Sequence, residues 1–594
     1  MDRQATFGFV LIFVLLMVWM YMNSPKPKPI EEGATQGLVR KDTAKPVEAK
    51  RVEKKEEKPA NKFGKYFSDR QTGIDQTISV ETDLYTAEIS AKGGLIKRWE
   101  LKKFKTWNGY PVQLVDFTKQ GDFSLLFSTS DGRLVNTRDL YFDFASQPRN
   151  ITLSGTDEAE VALILPAVNG GQLIKRLRFK NGEYGFRADI ELHNMESVVA
   201  NFEYQIVWEG GLRYAEHNSV DESNSASAYS YGGKELTELD ASKPDEKVQK
   251  DLTGIVDWVG TRTKYFGLAI IPEKGTSDGA YLEGVKTAMP DNGQYESYTV
   301  AVKMPFKEQA DEKKTVTVFL GPIDHTILRS YDVGLENMMS LGWTWLVRPI
   351  SEYIMLPLFG FLHIVIPNWG LVIIVFSILI KIVLHPLTKS SMKSMKKMQA
   401  LQPMMEEIKA KYKDDPQKMN SAVMNLYKEY GVNPAGGCLP LLIQMPILYA
   451  LYMVFRSAID LRQANFVWWI NDLSVPDVIY SLPFHLPFFG VKDISGLAIL
   501  MGITMFVQQK MSVKDPRQKM MIWMMPIMWV LLFMSFPSGL NLYYTVFNVL
   551  AIAQQVYVNK QGGDEPPRKL EPKKKKSGGI FRNIPTNLTK LAKR

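Results

Sequence analysis

Cysteine and histidine are scarce in this chain of 594 residues, which contains one cysteine and six histidines. The single Cys438 excludes an intrachain disulfide and a metal site built from several cysteines. No histidine forms an H-E-x-x-H or H-x-x-E-H pair, and neither a Walker A motif nor a dinucleotide-binding glycine motif occurs. We therefore expect a protein that has no metal site, needs no cofactor and is not an enzyme.

Acidic residues are absent from five long apolar segments in the second half of the chain. These segments are 369–387, 439–455, 495–511, 520–536 and 540–558. Their length and composition predict membrane-spanning helices. The first contains Lys381, and a cation well inside a span costs about 2.5–3.5 kcal/mol on insertion scales. Because no span offers a carboxylate to neutralise it, Lys381 either reaches the membrane surface or faces a water-filled cavity.

Charge and hydropathy differ between the two halves of the chain. Hydrophobic residues make up 45% of the sequence, and the mean hydropathy of −0.14 averages a polar first half with an apolar second half. The net charge is +9, and much of the excess lies in a few loops and in the C-terminal tail. This distribution indicates anionic lipid or RNA as a partner and argues against DNA binding.

The first half divides into an anchor, a tether and a β domain. Residues 1–23 hold an apolar run without a small-x-small cleavage pattern, which favours a retained transmembrane anchor over a cleaved signal peptide. Residues 24–61 are rich in Pro, Lys and Glu and predict a disordered tether. Residues 62–335 contain many short runs of period two, separated by Gly-rich turns, which predict a large antiparallel sandwich.

The second half is predicted to be helical and membrane-bound. Residues 336–367 mix aromatic and aliphatic residues with three prolines, which favours an amphipathic helix at the membrane surface. The five spans occupy 368–560, and Pro537-Ser538-Gly539 permits only a tight hairpin between the last two. A basic tail covers 561–594. If every basic loop is cytoplasmic, both termini lie inside and residues 24–367 lie outside or at the outer surface.

A helical hairpin is predicted at 388–433, between the first two of these spans. Apolar residues recur there at spacings of three and four on two stripes. The first stripe contains Met398, Leu401, Met405, Ile408 and Tyr412, and the second contains Met419, Val423, Leu426 and Tyr430. Asp414-Asp415-Pro416 predicts a turn and a helix start between them. The stripes either pack on each other or form a methionine-rich surface that receives nascent hydrophobic segments.

Polar side chains are scattered through the predicted spans. They are Ser377, Lys381, Gln444, Thr504, Gln508, Asn541, Tyr543, Tyr544 and Asn548. One interpretation is ordinary hydrogen bonding between helices, worth about 0.6 kcal/mol for each contact. The other is a shared hydrophilic groove. Lys381 lies about 18 Å along its helix from Trp369, on the same face as Ser377 and one turn beyond it.

Several motifs resemble those of the YidC/Oxa/Alb family of membrane protein insertases. Asn433–Pro446 (NPAGGCLPLLIQMP) resembles the family signature, and so do His385–Lys389 and Leu401–Pro403. Phe536–Tyr544 (FPSGLNLYY) matches the last hairpin of the family. The resemblance is specific over about 343–560 and weaker, at 85–96 and 263–266, in the β region. The full plan resembles the Gram-negative type, which has an N-terminal anchor, a periplasmic all-β supersandwich and an α-helical five-span core.

This resemblance implies a function in the bacterial inner membrane. Family members insert and fold nascent membrane proteins, alone or with the Sec translocon, through a groove that is open to the cytoplasm and to lipid. The family places one basic residue there, usually arginine, where this chain has Lys381. The resemblance also implies that Ser377 and Tyr544 match positions that contact the substrate in the family. The basic tail, with Lys573, Lys574, Lys575 and Lys576, is expected to contact either the ribosome or membrane lipid.

Two other functions are compatible with the sequence. The β domain is of a kind that recurs in carbohydrate-binding and sugar-modifying modules, which the spans would only anchor. A wet groove also fits a lipid scramblase.

Overall fold

The computed structural model of this protein describes residues 63–116, 121–147, 150–432, 439–486, 490–512 and 519–561. The predicted anchor at 1–23, the tether at 24–61 and nearly all of the tail at 561–594, including Lys573 to Lys576, lie outside the described residues. The described residues form two compact units. One comprises 63–340 with 457–459, and the other comprises 341–456 with 460–561.

The first unit consists mainly of β-strands. In chain order they are β1 (Thr77–Glu81), β2 (Tyr85–Ser90), β3 (Leu95–Lys105), β4 (Pro111–Gln113), β5 (Ser124–Thr129), β6 (Leu134–Asn136), β7 (Asp143–Phe144), β8 (Ile151–Thr152), β9 (Glu158–Pro166), β10 (Gln172–Lys180), β11 (Gly185–His193), β12 (Val199–Trp208), β13 (Ser227–Gly232), β14 (Glu235–Leu239), β15 (Lys247–Thr253), β16 (Trp258–Arg262), β17 (Phe266–Pro272), β18 (Gly279–Ala288), β19 (Gln294–Pro305) and β20 (Asp311–Pro322). Two short helices, α1 (Ser219–Ser223) and α2 (His325–Arg329), interrupt them.

These strands form three sheets whose pairing is almost entirely antiparallel. The orders are β4-β3-β2-β1-β8, β14-β13-β16-β17-β20-β11-β10-β9-β7 and β15-β18-β19-β12-β5-β6. The period-two runs at Thr77 and Tyr85 become β1 and β2, where buried and more exposed side chains alternate. The all-β class predicted for this region is therefore confirmed.

Aromatic side chains join the five-stranded sheet to the nine-stranded sheet. Trp99 of β3 stacks on Tyr85 with ring centroids 3.9 Å apart and contacts Phe186 of β11 at 6.0 Å. The Tyr85 hydroxyl donates to the carbonyl oxygen of Gly185 at 2.9 Å. Each large ring removes much apolar area from water, and the hydroxyl retains a partner, so the contact satisfies both requirements of a buried tyrosine.

A buried lysine fixes the Gly93-Gly94 turn between β2 and β3. Both glycines have positive φ, which suits residues without a Cβ. Lys175 Nζ donates to the carbonyl oxygens of Gly93, Gly94 and Phe123 at 3.0, 3.2 and 2.8 Å. Burial lowers the pKa of Lys175 to about 7, and the neighbouring Asp122 opposes part of that decrease.

The second unit is mainly helical. Its helices are α3 (Val347–Ile350), a π-helical turn (Ser351–Met355), α4 (Leu356–Val365), α5 (Trp369–Val383), α6 (His385–Ala400), α7 (Gln402–Lys411), α8 (Pro416–Glu429), α9 (Leu439–Ser457), α10 (Gly496–Ser512), α11 (Lys519–Phe533) and α12 (Ser538–Gln561). A two-stranded hairpin of β21 (Val478–Ser481) and β22 (Asp493–Ser495) precedes α10. The predicted helix start at Asp415-Pro416 is confirmed, because the Asp415 side chain accepts from the Lys418 amide at 3.0 Å.

The first predicted span, 369–387, is not one straight helix. Helix α5 ends at Val383, and α6 begins at His385 with its axis bent by 62°. Pro386 explains the break, because it has no amide hydrogen and its ring clashes with the carbonyl one turn earlier. Within the described ranges, no single helix has both the length and the apolar character needed to cross a membrane, whereas α5 and α6 together meet that test.

Two other helical predictions differ in detail from the observed helices. The single surface helix predicted at 336–367 is observed as α3, the π-helical turn and α4, with Pro349 inside α3 and Pro357 at the start of α4. The first arm of the predicted hairpin is divided into α6 and α7 at Leu401, two residues before Pro403. Pro403 removes a backbone donor at the break beside Leu401, whereas α3, the π-helical turn and α4 follow one another without a break.

The buried Lys175 predicts a pH-dependent stability of the β unit. Its pKa is about 7 in the folded chain and about 10.4 when unfolded, so between these values the unfolded chain binds more protons. The free energy of unfolding should therefore rise from pH 7 to pH 10, by at most about 1.4 kcal/mol per pH unit. Urea-dependent amide exchange of β2 and β3 in the full chain measures this change.

Two substitutions test that assignment. Lys175→Met should remove the increase, whereas Lys103→Met, at an exposed position of β3, should retain it. An undiminished pH dependence in Lys175→Met would contradict the role assigned to Lys175.

Candidate functional site

Six helices of the second unit surround a cavity of about 400 Å³. Five of the polar residues predicted for a groove line it: Lys381, Gln444, Gln508, Tyr544 and Asn548. They come from α5, α9, α10 and α12, which are far apart in sequence. The structure therefore brings these five predicted residues to one site.

The other four predicted residues do not line this cavity. The Ser377 hydroxyl is buried and donates to the Ile373 carbonyl at 2.7 Å. Thr504 donates to the Met501 carbonyl at 2.8 Å and accepts from Asn548 Nδ2 at 3.3 Å. Asn541 Nδ2 donates to the Phe533 carbonyl at 3.2 Å. Tyr543 is buried with its hydroxyl unpaired among the described residues.

Lys381 supplies the charge in the cavity wall. Its side chain is only 8% exposed, near the C-terminal end of α5. The ammonium nitrogen lies 4.3 Å from the centroid of the Phe547 ring on α12. In the described part of the chain, no carboxylate forms an ion pair with it. Lys381 therefore neither lies exposed at a helix end nor is neutralised by a described acidic group.

Methionine and amide side chains make up much of the remaining lining, and the sequence alone did not predict them at this site. The lining includes Met392, Met395, Met445, Met501, Met505, Met525, Gln509 and Gln555. Flexible thioethers adapt to varied apolar shapes, and amides both donate and accept hydrogen bonds. Trp529 also lines the cavity, and its indole N–H has no hydrogen-bond partner among the described residues. Neighbouring Gln508-Gln509 and Gln554-Gln555 pairs were the sequence signal available for the amides.

Helix α12 holds the bend between α5 and α6. Gln554 Nε2 lies 3.2 Å from His385 Nδ1 and donates to Thr388 Oγ1 at 3.2 Å. Thr388 also lines the cavity. These contacts attach the His385–Lys389 motif to α12 directly beside the cavity.

A buried carboxylate organises the loop end of the helices. Asp477 accepts the Trp469 indole N–H at 2.9 Å, the Leu497 amide at 2.7 Å and the Ser495 hydroxyl. Helix α12 joins this network, because Asn541 Nδ2 donates to the Ser495 hydroxyl oxygen at 3.4 Å. Residues 501–509 of α10 and 544–555 of α12 border the cavity, so the cavity occupies the parts of these helices away from the loops.

The predicted stripes of the hairpin pack on each other. Leu401, Leu426, Tyr430 and Val432 form a buried cluster, against which Met398, Met405, Ile408 and Tyr427 pack. Tyr412, Met419 and Val423 are half-buried and lie outside this cluster. The packing interpretation is therefore confirmed for most of the two stripes. Met404 and Met424 remain 37% and 46% exposed and are the methionines available to a partner at this surface.

Replacing Asp477 should loosen the loop end. Asp477→Asn places an NH2 group against donors, and we expect a loss of about 1–3 kcal/mol in the stability of this network. Amide exchange at the start of α10 in the full chain measures it. Asp493→Asn is the matched control, because Asp493 is exposed in the same loop and accepts the Ser481 hydroxyl at 2.6 Å. Equal exchange in the two variants would argue against the role assigned to Asp477.

Comparisons with known proteins match most of the chain. Residues 77–353 match the YidC periplasmic domain, and residues 361–565 match the 60Kd inner membrane protein family. A membrane protein insertase YidC of Chlorobaculum parvum is 42% identical over 571 residues, covering 95% of this chain and 96% of that protein. One of Chlorobium phaeovibrioides is 40% identical over 590 residues, covering 98% and 100%.

A solved structure also matches along most of the chain. It is an active YidC insertase with its first transmembrane domain resolved, at 19% identity, covering 83% of this chain and 94% of that one. Its TM-score of 0.35 supports no structural argument, so the assignment depends on the sequence matches. At about 40% identity over nearly the whole length, those matches establish that this chain belongs to the YidC family of membrane protein insertases.

Proposed function

We propose that this chain inserts nascent inner-membrane proteins through the cavity that contains Lys381. The observation that carries the proposal is a buried cation, unpaired with any described carboxylate, in the wall of a cavity lined by amides and methionines. Such a site attracts a short acidic or polar segment of a client. The amides lower the cost of moving that segment out of water, because buried polar groups are costly only when they lack hydrogen bonds.

The transfer needs no covalent step and no cofactor. A hydrophobic client segment that passes from the cavity into lipid gains about 25 cal/mol for each Å² of apolar area removed from water. The membrane potential contributes about 2.3 kcal/mol per charge per 100 mV when an acidic tail moves outward. Lys381 lowers the free energy of the acidic client tail while that tail crosses the membrane, and it performs no chemical catalysis.

The membrane arrangement follows from the apolar segments and the charged loops. We propose five spans at 369–387, 439–455, 495–511, 520–536 and 540–558, with the first including the bend at His385. Both termini are cytoplasmic, and residues 24–367 lie in the periplasm or at the outer surface. The loop between α9 and α10 then faces outward, and its exposed Trp468, Tyr480 and Phe484 suit the membrane interface.

The flanking segments bring clients and partners to the core. Residues 1–23 form the anchor, 24–61 the tether, 62–335 the periplasmic supersandwich and 336–367 a surface-bound segment. The hairpin at 388–433 contacts a nascent segment through Met404 and Met424, while its buried stripe keeps the arms together. The basic tail at 561–594 contacts the ribosome or anionic lipid, and the chain cooperates with the Sec translocon.

Substitutions of Lys381 test the proposed function. In proteoliposomes with equal amounts of protein, Lys381→Arg should insert a single-span client with an acidic tail normally. Lys381→Ala and Lys381→Glu should reduce the amount of client inserted by about tenfold or more. The reason is that two opposite charges 4 Å apart attract by about 4 kcal/mol at an effective dielectric constant of 20. Protease protection of the client tail measures insertion.

The controls separate charge from general damage. Lys510→Ala, at an exposed position at the end of α10, should insert normally. A client whose tail carries Asn in place of Asp should be insensitive to Lys381→Ala. Equal insertion by the wild type and the three Lys381 variants would rule out the electrostatic step. Movement of labelled lipid without any client would instead support a scramblase.

A further inference from the structure

The buried cation of Lys381 makes a cation–π contact with Phe547. The ammonium nitrogen lies 4.3 Å from the ring centroid, and both side chains are nearly inaccessible, at 8% and 6% exposure. The face of an aromatic ring is negative, and it attracts a desolvated cation more strongly than one in water. Lys381 therefore meets a favourable neutral partner where no described carboxylate is available.

Without this ring, Lys381 would be free to leave the cavity. It lies two residues before the end of α5, and its neighbours Ile382 and Val383 are exposed. A lysine has four flexible carbons and moves its charge towards water wherever its helix allows. An ammonium also lacks the planar fork by which an arginine fixes its own orientation. Another group must therefore retain the charge in the cavity.

The Phe547 ring is itself held by a column of aromatic residues. Tyr543, one turn earlier on α12, stacks on it with centroids 5.8 Å apart. Tyr543 contacts Phe376 of α5 at 6.2 Å, and Phe376 stacks on Phe359 of α4 at 4.5 Å. The ring position is thus determined by packing across three helices, which is what a fixed partner for a flexible lysine requires.

We propose that Phe547 is a positioning residue that holds the Lys381 ammonium in the cavity through a cation–π contact. This inference rests on the proposed function of Lys381 in insertion. A carboxylate in the same place would neutralise the lysine and compete with an acidic client. A ring retains the cation and leaves its charge available, so the client tail binds without first displacing an ion-pair partner.

Fluorinated phenylalanines at position 547 test the proposal in the full chain. One, two and three fluorines progressively weaken the negative face of the ring with little change of volume. Insertion of the acidic-tailed client should fall stepwise, by about fivefold at the trifluorinated ring. The same series at Phe455 of α9 is the control, because that ring is fully buried, lies outside the cavity lining and has no described cation over it. It should have no effect.

Further variants separate positioning from packing. Phe547→Tyr and Phe547→Trp should retain insertion, and Phe547→Leu should reduce it. In a Lys381→Ala background the fluorine series should have no effect. Equal declines at positions 547 and 455 would overturn the proposal in favour of general packing.

The outcome also distinguishes this inference from the proposed function. If the series at 547 has no effect while Lys381→Ala still loses insertion, the cation–π inference fails and the function of Lys381 stands. If Lys381→Ala inserts normally, both are overturned.

Discussion

A cation buried among apolar helices, without an acidic partner in the described chain, is the constraint on which the helical unit depends. Lys381 must be solvated, and its surroundings provide a cavity, amide groups and the face of the Phe547 ring. None of these removes its charge. The site therefore combines a low-polarity wall with a persistent positive potential, and this combination suits a client segment that is mostly apolar but ends in polar or acidic residues.

Two of the buried lysines, Lys175 and Lys381, differ in how their side-chain nitrogens are satisfied. The side-chain nitrogen of Lys175 in the β unit lies within hydrogen-bond distance of three carbonyl oxygens and holds a glycine turn. Lys381 has a ring and a cavity instead. Asp477, at the loop end of the helices, likewise has several hydrogen-bond partners, since it accepts from an indole N–H, a backbone amide and a hydroxyl. Polar groups are thus held by several hydrogen bonds where the fold needs rigidity, whereas the Lys381 cation remains accessible at the cavity.

Prolines give the helical unit its discontinuities. Pro386 bends the chain beside the cavity, and Gln554 attaches the bend to α12 through His385 and Thr388. Pro403 separates α6 from α7, so the hairpin arm closes on α8 around Leu401. Breaks of this kind leave backbone groups that neighbouring helices must satisfy. The bend can therefore place Thr388, Ser391, Met392 and Met395 against the cavity in a way that a straight helix would not.

The sequence by itself determined the element types, the β class, the apolar segments and the anomaly at Lys381, because periodicity, length and missing acidic partners are local properties. Tertiary structure decided which polar residues share a site. Ser377 and Tyr544 are both polar positions within predicted spans, but Ser377 bonds to its own helix and Tyr544 borders the cavity. The pairing of Lys381 with Phe547 joins residues 166 positions apart by number, on two helices, and depends on packing that no local pattern encodes.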